Sequence, residues 1–348
     1  MKHRNQIVDV FKILSAFFVV FLHFPFPGLF GKVVFSIARF AVPFFFIVSG
    51  YYYSKSDKSV QLVKTWSKIK YIFSLLLVSE LLAFIQRLLN HYEFQYSFLN
   101  NVKSVIISSL YNYNAEKWRA ISFTPLFNYS AWFLAQLIIV YAVFALITKY
   151  KLYNVAKVII PICFIFGFFL IRICNFTSIA LPLYLDYFFM FMGVPFFSFG
   201  YYLKEHSFMP RINTLSLFFL ILLGVALSVL ESFFISTANL FLGSLVIDFA
   251  LTALFIKFAD ASMKTQLGKL LSFCGDKLSL YVYILHSFVG GYVIAIINKL
   301  FGLNKWINAF MPLLICIFTL FVSVIVYKIN SIIGKKMKEW KANTEIKH

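Results

Sequence analysis

Three ionisable residues interrupt the first apolar stretch of the chain: Asp9, Lys12 and His23. An Asp, Lys or Arg at the centre of a membrane helix costs at least ~2.5–3.5 kcal/mol on insertion scales, so any ionisable group there is a candidate for function. Eleven positions separate Lys12 from His23, close to three helical turns and roughly 16 Å of rise, which puts both on one face. Asp9 shares that face, and a plain ion pair with Lys12 accounts for the two of them as well as a functional role does. An imidazole so placed can act as a general base toward a hydroxyl, although a lone histidine near a helix end is more often an ordinary polar contact. Arg39 in the next apolar segment shifts that balance. Counting from about Val34, it lies ~9 Å below the outer boundary, close to the depth of His23. Two polar groups at one depth in hydrocarbon should face a common interior cavity, where a guanidinium can stabilise an oxyanion.

The elements that must position these residues follow from composition. The chain has 348 residues, 61% of them hydrophobic and 13% charged, with a mean hydropathy of +0.84; soluble proteins average about 45–50% apolar and about 25% charged. Apolar runs recur along nearly the whole length, each near the ~20 residues that cross a bilayer as helix, without the alternation of a membrane barrel. The fold class expected is all-α: a polytopic membrane helix bundle, one membrane domain over 1–348. Helices are expected near 7–25, 34–53, 69–89, 131–148, 155–171, 180–203, 212–230, 238–257, 278–298 and 307–328, about ten crossings. The basic start followed by an apolar run imitates a secretory leader, but Asp9 and Lys12 interrupt it, so it reads as a retained first helix.

The net charge of +19 belongs to topology rather than to a nucleic-acid partner. With the N-terminus inside, 22 of the 32 Lys and Arg residues fall on inner segments and 8 on outer ones, with Lys12 and Arg39 inside helices, as the positive-inside rule requires. Both termini are then cytoplasmic. The longest outer connection, about Asn90 to Ser130, carries Trp118 among several aromatic residues. Cys163, Cys174, Cys274 and Cys316 form no C-x-x-C pair, so neither a metal site nor a disulfide framework is expected. Glu80, Gln136, Asp186, Glu231, Asp248 and His286 are further polar groups within apolar segments. His286, counted ~12 Å above the start of its helix, is expected near the midplane, below His23, as a cavity-lining or helix-packing residue.

The runs IVDVFKILSAFFVVFLH (Ile7 to His23), ARFAVPFFFIVSGYYY (Ala38 to Tyr53), AWFLAQL (Ala131 to Leu137), FFMFMGVPFFSFGYYLK (Phe188 to Lys204) and CGDKLSLYVYILH (Cys274 to His286) together resemble the membrane acyltransferase-3 family of O-acyltransferases. The likeness keeps the motif order along nearly the whole chain. It implies that His23 is the catalytic base, ending a first-helix pattern in which Lys12 replaces the usual arginine. Arg39 ahead of Val42-Pro43-Phe44-Phe45 matches the second-helix pattern, and Lys64, Lys68 and Lys70 stand where relatives carry arginines. Lysine keeps the charge but loses the planar fork, so these would meet phosphate as point charges.

The reaction implied takes an acyl group from cytoplasmic acetyl-CoA, or another acyl-CoA such as succinyl-CoA, and passes it to a hydroxyl of a cell-surface glycan or lipid-linked sugar, in the cytoplasmic membrane and without a metal. Lys12, Lys64, Lys68 and Lys70 are placed to hold the donor's phosphates, unless they are simply inner-loop charges. Trp132 and Trp118 are interface-belt aromatics or stack on the acceptor sugar, with His286 near that site. The rivals are a transporter or flippase of lipid-linked glycans, or a polysaccharide polymerase. The first would predict an internal repeat, which the sequence does not show, and the second leaves the Lys12–His23 spacing without a role.

Overall fold

A computed structural model describes residues 5–54, 57–115, 123–177, 188, 190–208, 211–235, 240–302 and 304–345, which form helices and no strand. In chain order the α-helices are α1 (Gln6–His23), α2 (Gly28–Ile37), α3 (Ala41–Tyr53), α4 (Lys58–Asn90), α5 (Phe98–Ala115), α6 (Trp132–Lys149), α7 (Tyr153–Thr177), α8 (Gly193–Glu205), α9 (Thr214–Phe234), α10 (Leu242–Lys257), α11 (Gln266–Lys277), α12 (Ser279–Phe301) and α13 (Lys305–Glu345). Eight segments of the described chain are long and apolar enough to cross a membrane: Gln6–His23, Gly28–Tyr53, Lys58–Asn90, Tyr129–Lys149, Tyr153–Cys174, Thr214–Phe234, Ser279–Phe301 and Lys305–Lys336. The protein is a multi-pass membrane protein. Of the ten crossings expected, those near 180–203 and 238–257 are described in part, as α8 and α10 with 13 and 16 residues; residues 180–187, 189 and 238–239 lie outside the described residues. Helix α10 is nonetheless deeply enclosed, with Ile247, Ala250, Leu251, Ala253, Leu254 and Phe255 all buried.

Local chemistry sets the helix ends. Asn5 caps α1 by accepting from the Val8 N–H at 3.1 Å, and the prolines at 25 and 27 stop its continuation. The segment expected as one helix over 34–53 begins earlier, at Gly28, and tightens into a 3-10 turn at Ala38–Phe40. Pro43 explains the break: it has no N–H to give the carbonyl of Arg39, and its ring crowds that carbonyl. Arg39 therefore stands on a tightened turn rather than on a regular helix.

Helix α4 starts eleven residues before the expected boundary of 69, capped by Asp57, whose carboxylate accepts from the Ser59 and Val60 N–H groups. Lysines are good helix formers, so Lys58, Lys64 and Lys68 ride on α4 instead of lying in a loop. At 33 residues it runs roughly 50 Å, well beyond the ~30 Å hydrocarbon core. The long connection from 90 to 130 is not all loop either: α5 occupies Phe98–Ala115, turning its buried Asn101, Val105 and Ser109 inward. Asn101 Nδ2 donates to the carbonyls of Glu93, Tyr96 and Ser97, fixing the turn that precedes it.

Small residues let the central helices touch. A Cβ on Gly50 of α3 would strike the Phe197 carbonyl of α8, and one on Gly200 would strike the Ile47 carbonyl. The same two helices and α6 share an aromatic core of Phe46, Tyr53, Phe133, Phe144, Phe197 and Tyr201. A second core packs α1 against α11, α12 and α13 through Ile13, Ala16, Val20, Leu278, Val282 and Ile315. There Gly275 lies directly on the Asp9 carbonyl. These contacts bring the end of α1 that carries His23 against α12.

Candidate active site

Two chambers meet at His23. The first, about 310 Å³, is lined by His23, Arg39, Phe35, Val42, Trp132 and Met192 among others. The second, about 250 Å³, is lined by His23, Gln86, Arg87, Asn128, Ser130 and Ser287 among others. Tyr129 belongs to both walls. The matched depths of His23 and Arg39 therefore correspond to a shared cavity.

Arg39 reaches this cavity from the turn that Pro43 imposes. Its guanidinium lies over the Phe35 ring at 4.4 Å and faces the Phe241 ring at 5.9 Å. Such stacking holds a planar cation by its face and leaves its edge for hydrogen bonding. Trp132 opens α6 beside it. Trp118 lies outside the described residues.

His23 meets a neighbour, Ser130, that the sequence did not single out for this task. Ser130 Oγ lies 3.4 Å from His23 Nδ1, a long hydrogen bond of the kind that tightens when substrate binds. Tyr283 Oη in turn donates to the Ser130 carbonyl at 2.8 Å. The approach to Ser130 is clamped by α4. Glu80 accepts from the backbone N–H groups of Phe127 and Asn128 at 2.9 and 2.6 Å, Arg87 donates to the Phe127 carbonyl at 2.8 Å, and Asn128 donates to Ser79 at 2.7 Å. Glu80 is legible in the sequence as an acid within an apolar segment, but nothing local to it names residues 127–130 as its partners.

His286 is not below His23 but beside it, with ring centroids 4.9 Å apart. Its Nδ1 contacts the Tyr283 carbonyl at 2.6 Å; a carbonyl only accepts, so Nδ1 carries the hydrogen, and in the neutral ring Nε2 accepts from Ser287 Oγ at 3.3 Å. The expected offset below His23 fails because α1 and α12 do not start level with one another. Gly275 presses α11 onto Asp9, so α12 begins already a few residues up the length of α1.

The lysines occupy the opposite end of α1, α3 and α4. Lys12 Nζ pairs with Asp9 at 3.0 Å, the ordinary ion pair that their spacing allows. Lys68 Nζ stands 5.6 Å from the Tyr53 ring and 5.2 Å from the Tyr141 ring, beside the last turn of α3. Lys64 is exposed; Lys70, also exposed, turns to the other side of α4 from Lys68 because two residues advance a helix by a little over half a turn. The structure thus gathers Lys68 against α3 and leaves Lys70 apart. Among the described residues no group of three His, Cys, Asp or Glu side chains is arranged to hold a metal ion.

A stretch of 57 residues, 15% of the chain, is 44% identical to an amino-acid racemase of Enterococcus faecalis, of which it covers 8%. The chain thus matches only a small part of that relative's length, and the racemase's name describes the relative alone. No solved structure matches the chain. The model of the acyltransferase-3 family, described as an acyltransferase domain, matches residues 5–328, and with nearly all of its length accounted for in this way the chain belongs to that family.

Proposed function

We propose that the protein is an O-acyltransferase of the cytoplasmic membrane that carries an acyl group from cytoplasmic acyl-CoA to a hydroxyl of an extracytoplasmic glycan or lipid-linked sugar, with acetyl as the group and succinyl as the next choice. The observation that carries this reading is the pairing of His23 with Arg39 on one cavity wall, in a chain of the acyltransferase-3 family. The basic inner segments support a cytoplasmic N-terminus and lysine-bearing end.

The anionic end of the donor would meet Lys12 and Lys68 beside α3, with Lys64 and Lys70 adding positive potential around them. Its slender arm would run between the helices and bring the thioester to Arg39. Ser130 lies at His23 Nδ1, so Nε2 is the nitrogen that takes the proton from the acceptor hydroxyl. The sugar oxygen attacks the thioester carbonyl, the oxyanion forms beside Arg39, the C–S bond breaks, and the departing thiolate recovers the proton from the imidazolium. The products are an ester and free CoA, with no net proton gained or lost. Trp132 flanks the reacting centre, and Tyr283 and His286 hold the base in position.

The test is transfer of label from radiolabelled acetyl-CoA to candidate envelope glycans by the purified protein. Labelled glycan with the native chain and none with His23→Ala, the variant remaining folded and inserted, is the expected result. Unchanged turnover in His23→Ala, or CoA-independent movement of glycan across vesicles, would overturn the proposal in favour of a transporter.

A further inference from the structure

We infer that the second chamber is the acceptor subsite, built to hold one sugar ring of the glycan with its reacting hydroxyl at His23; this rests on the acyl-transfer reading above. The two chambers that share the imidazole differ in chemistry. The first sets the Arg39 guanidinium and the Thr124 hydroxyl among Val42, Pro43, Phe35, Trp132 and Met192, with no carboxamide, a lining suited to a thioester and the oxyanion derived from it. The second presents two carboxamides, a guanidinium and serine hydroxyls, from Gln86, Asn128, Arg87, Ser79, Ser130 and Ser287. Sugar hydroxyls both donate and accept, and carboxamides and hydroxyls are the uncharged side chains that answer in both directions. Phe127, Phe288 and Tyr129 complete the wall, aromatic surface of the kind that packs against the C–H groups of a pyranose.

Placement agrees with the chemistry. Gln86 and Arg87 lie in the last turns of α4, the end remote from Lys58, Lys64 and Lys68, so this chamber is on the side away from the donor's phosphates. Its volume of about 250 Å³ leaves room for a sugar ring. Gly291 shapes it: a Cβ there would collide with Gln86 Nε2, which instead donates to the Phe288 carbonyl at 3.3 Å.

The probes are radiolabelled acetyl-CoA and glycan extracted from cells lacking the protein. Gln86→Leu keeps bulk and removes the amide; Ser287→Ala removes a hydroxyl with little risk to folding. Each is expected to raise the KM for glycan about tenfold, the scale of a lost hydrogen bond with its partner left unmet, while leaving the KM for acetyl-CoA unchanged. A rise in the acetyl-CoA KM with the glycan KM constant would show the chambers reversed, and no change in either, with both variants folded, would remove the chamber from recognition. Glycan binding measured calorimetrically without donor separates this inference from the reaction itself. If the native chain transfers no label, binding weakened by Gln86→Leu still supports the subsite, and undiminished binding refutes it.

Discussion

His23 and His286 face each other at 4.9 Å between ring centroids, with Ser130 on the Nδ1 side of His23 and the Tyr283 carbonyl fixing the tautomer of His286. One ring comes from α1 and the other from α12. Neither helix sets the imidazole by itself; the orientation of His23 is a property of their packing.

His286 is therefore expected to act by positioning. His286→Phe keeps a flat ring and discards both nitrogens; it should lower kcat about tenfold or more with small change in either KM and in thermal stability, and should shift the pH dependence of turnover. A pH profile superimposable on that of the native chain would leave His286 as packing alone.

Arg39 should matter in the transition state more than in binding. Loss of an oxyanion donor costs about 10²–10³ in kcat, so Arg39→Ala is expected to fall by that order with the acetyl-CoA KM little altered, and Arg39→Lys to recover part of it. Pro43→Ala should allow the 3-10 turn at Ala38–Phe40 to relax toward α-helix and carry Arg39 off the cavity, reproducing the Arg39→Ala phenotype while the chain stays folded. Single-turnover kinetics on the three variants would check this order.

The α3–α8 contact should tolerate no added carbon. Gly50→Ala or Gly200→Ala drives a methyl group against a facing backbone carbonyl, which cannot swing aside as a side chain does. Overpacking of this kind costs about 1–3 kcal/mol, read as a lowered Tm in detergent. Gly334→Ala, whose Cβ meets nothing nearby, should be indistinguishable from the native chain.

At the lysine-bearing end, Lys58 Nζ and Glu205 pair at 2.7 Å, and Ser54 Oγ donates to Glu205 at 2.8 Å. Burial alone would raise the Glu205 pKa, but the hydrogen bonds from Lys58 and Ser54 outweigh it and hold the carboxyl below its ordinary 4.5. Because the folded value is the lower one, the stabilisation is present above pH 4.5 and is lost as pH falls through the depressed value. Both side chains are about one-third exposed, 32% and 33%, so solvent limits the pair to ~1 kcal/mol or less. Glu205→Gln should abolish that part of the acid dependence of Tm, lowering stability at neutral pH by ~1 kcal/mol or less and leaving it nearly unchanged below the depressed value.

The sequence alone determined the class of molecule and brought two residues of the candidate site together. Apolar runs near bilayer length force helices, since backbone groups in hydrocarbon must be satisfied within the segment. Rise per residue put His23 and Arg39 at one depth because both could be counted from neighbouring boundaries on consecutive segments. The same counting misplaced His286, because it assumes that helices start level with one another. α12 starts instead where Gly275 lets α11 rest on the Asp9 carbonyl. Ser130 was invisible for a related reason: its position is set by Glu80, Arg87 and Ser79 reaching across from α4 to hold residues 127 and 128. Local pattern fixes how far along its own helix a side chain lies, but only packing between helices decides what stands opposite it, and the imidazole's neighbours are all of that second kind.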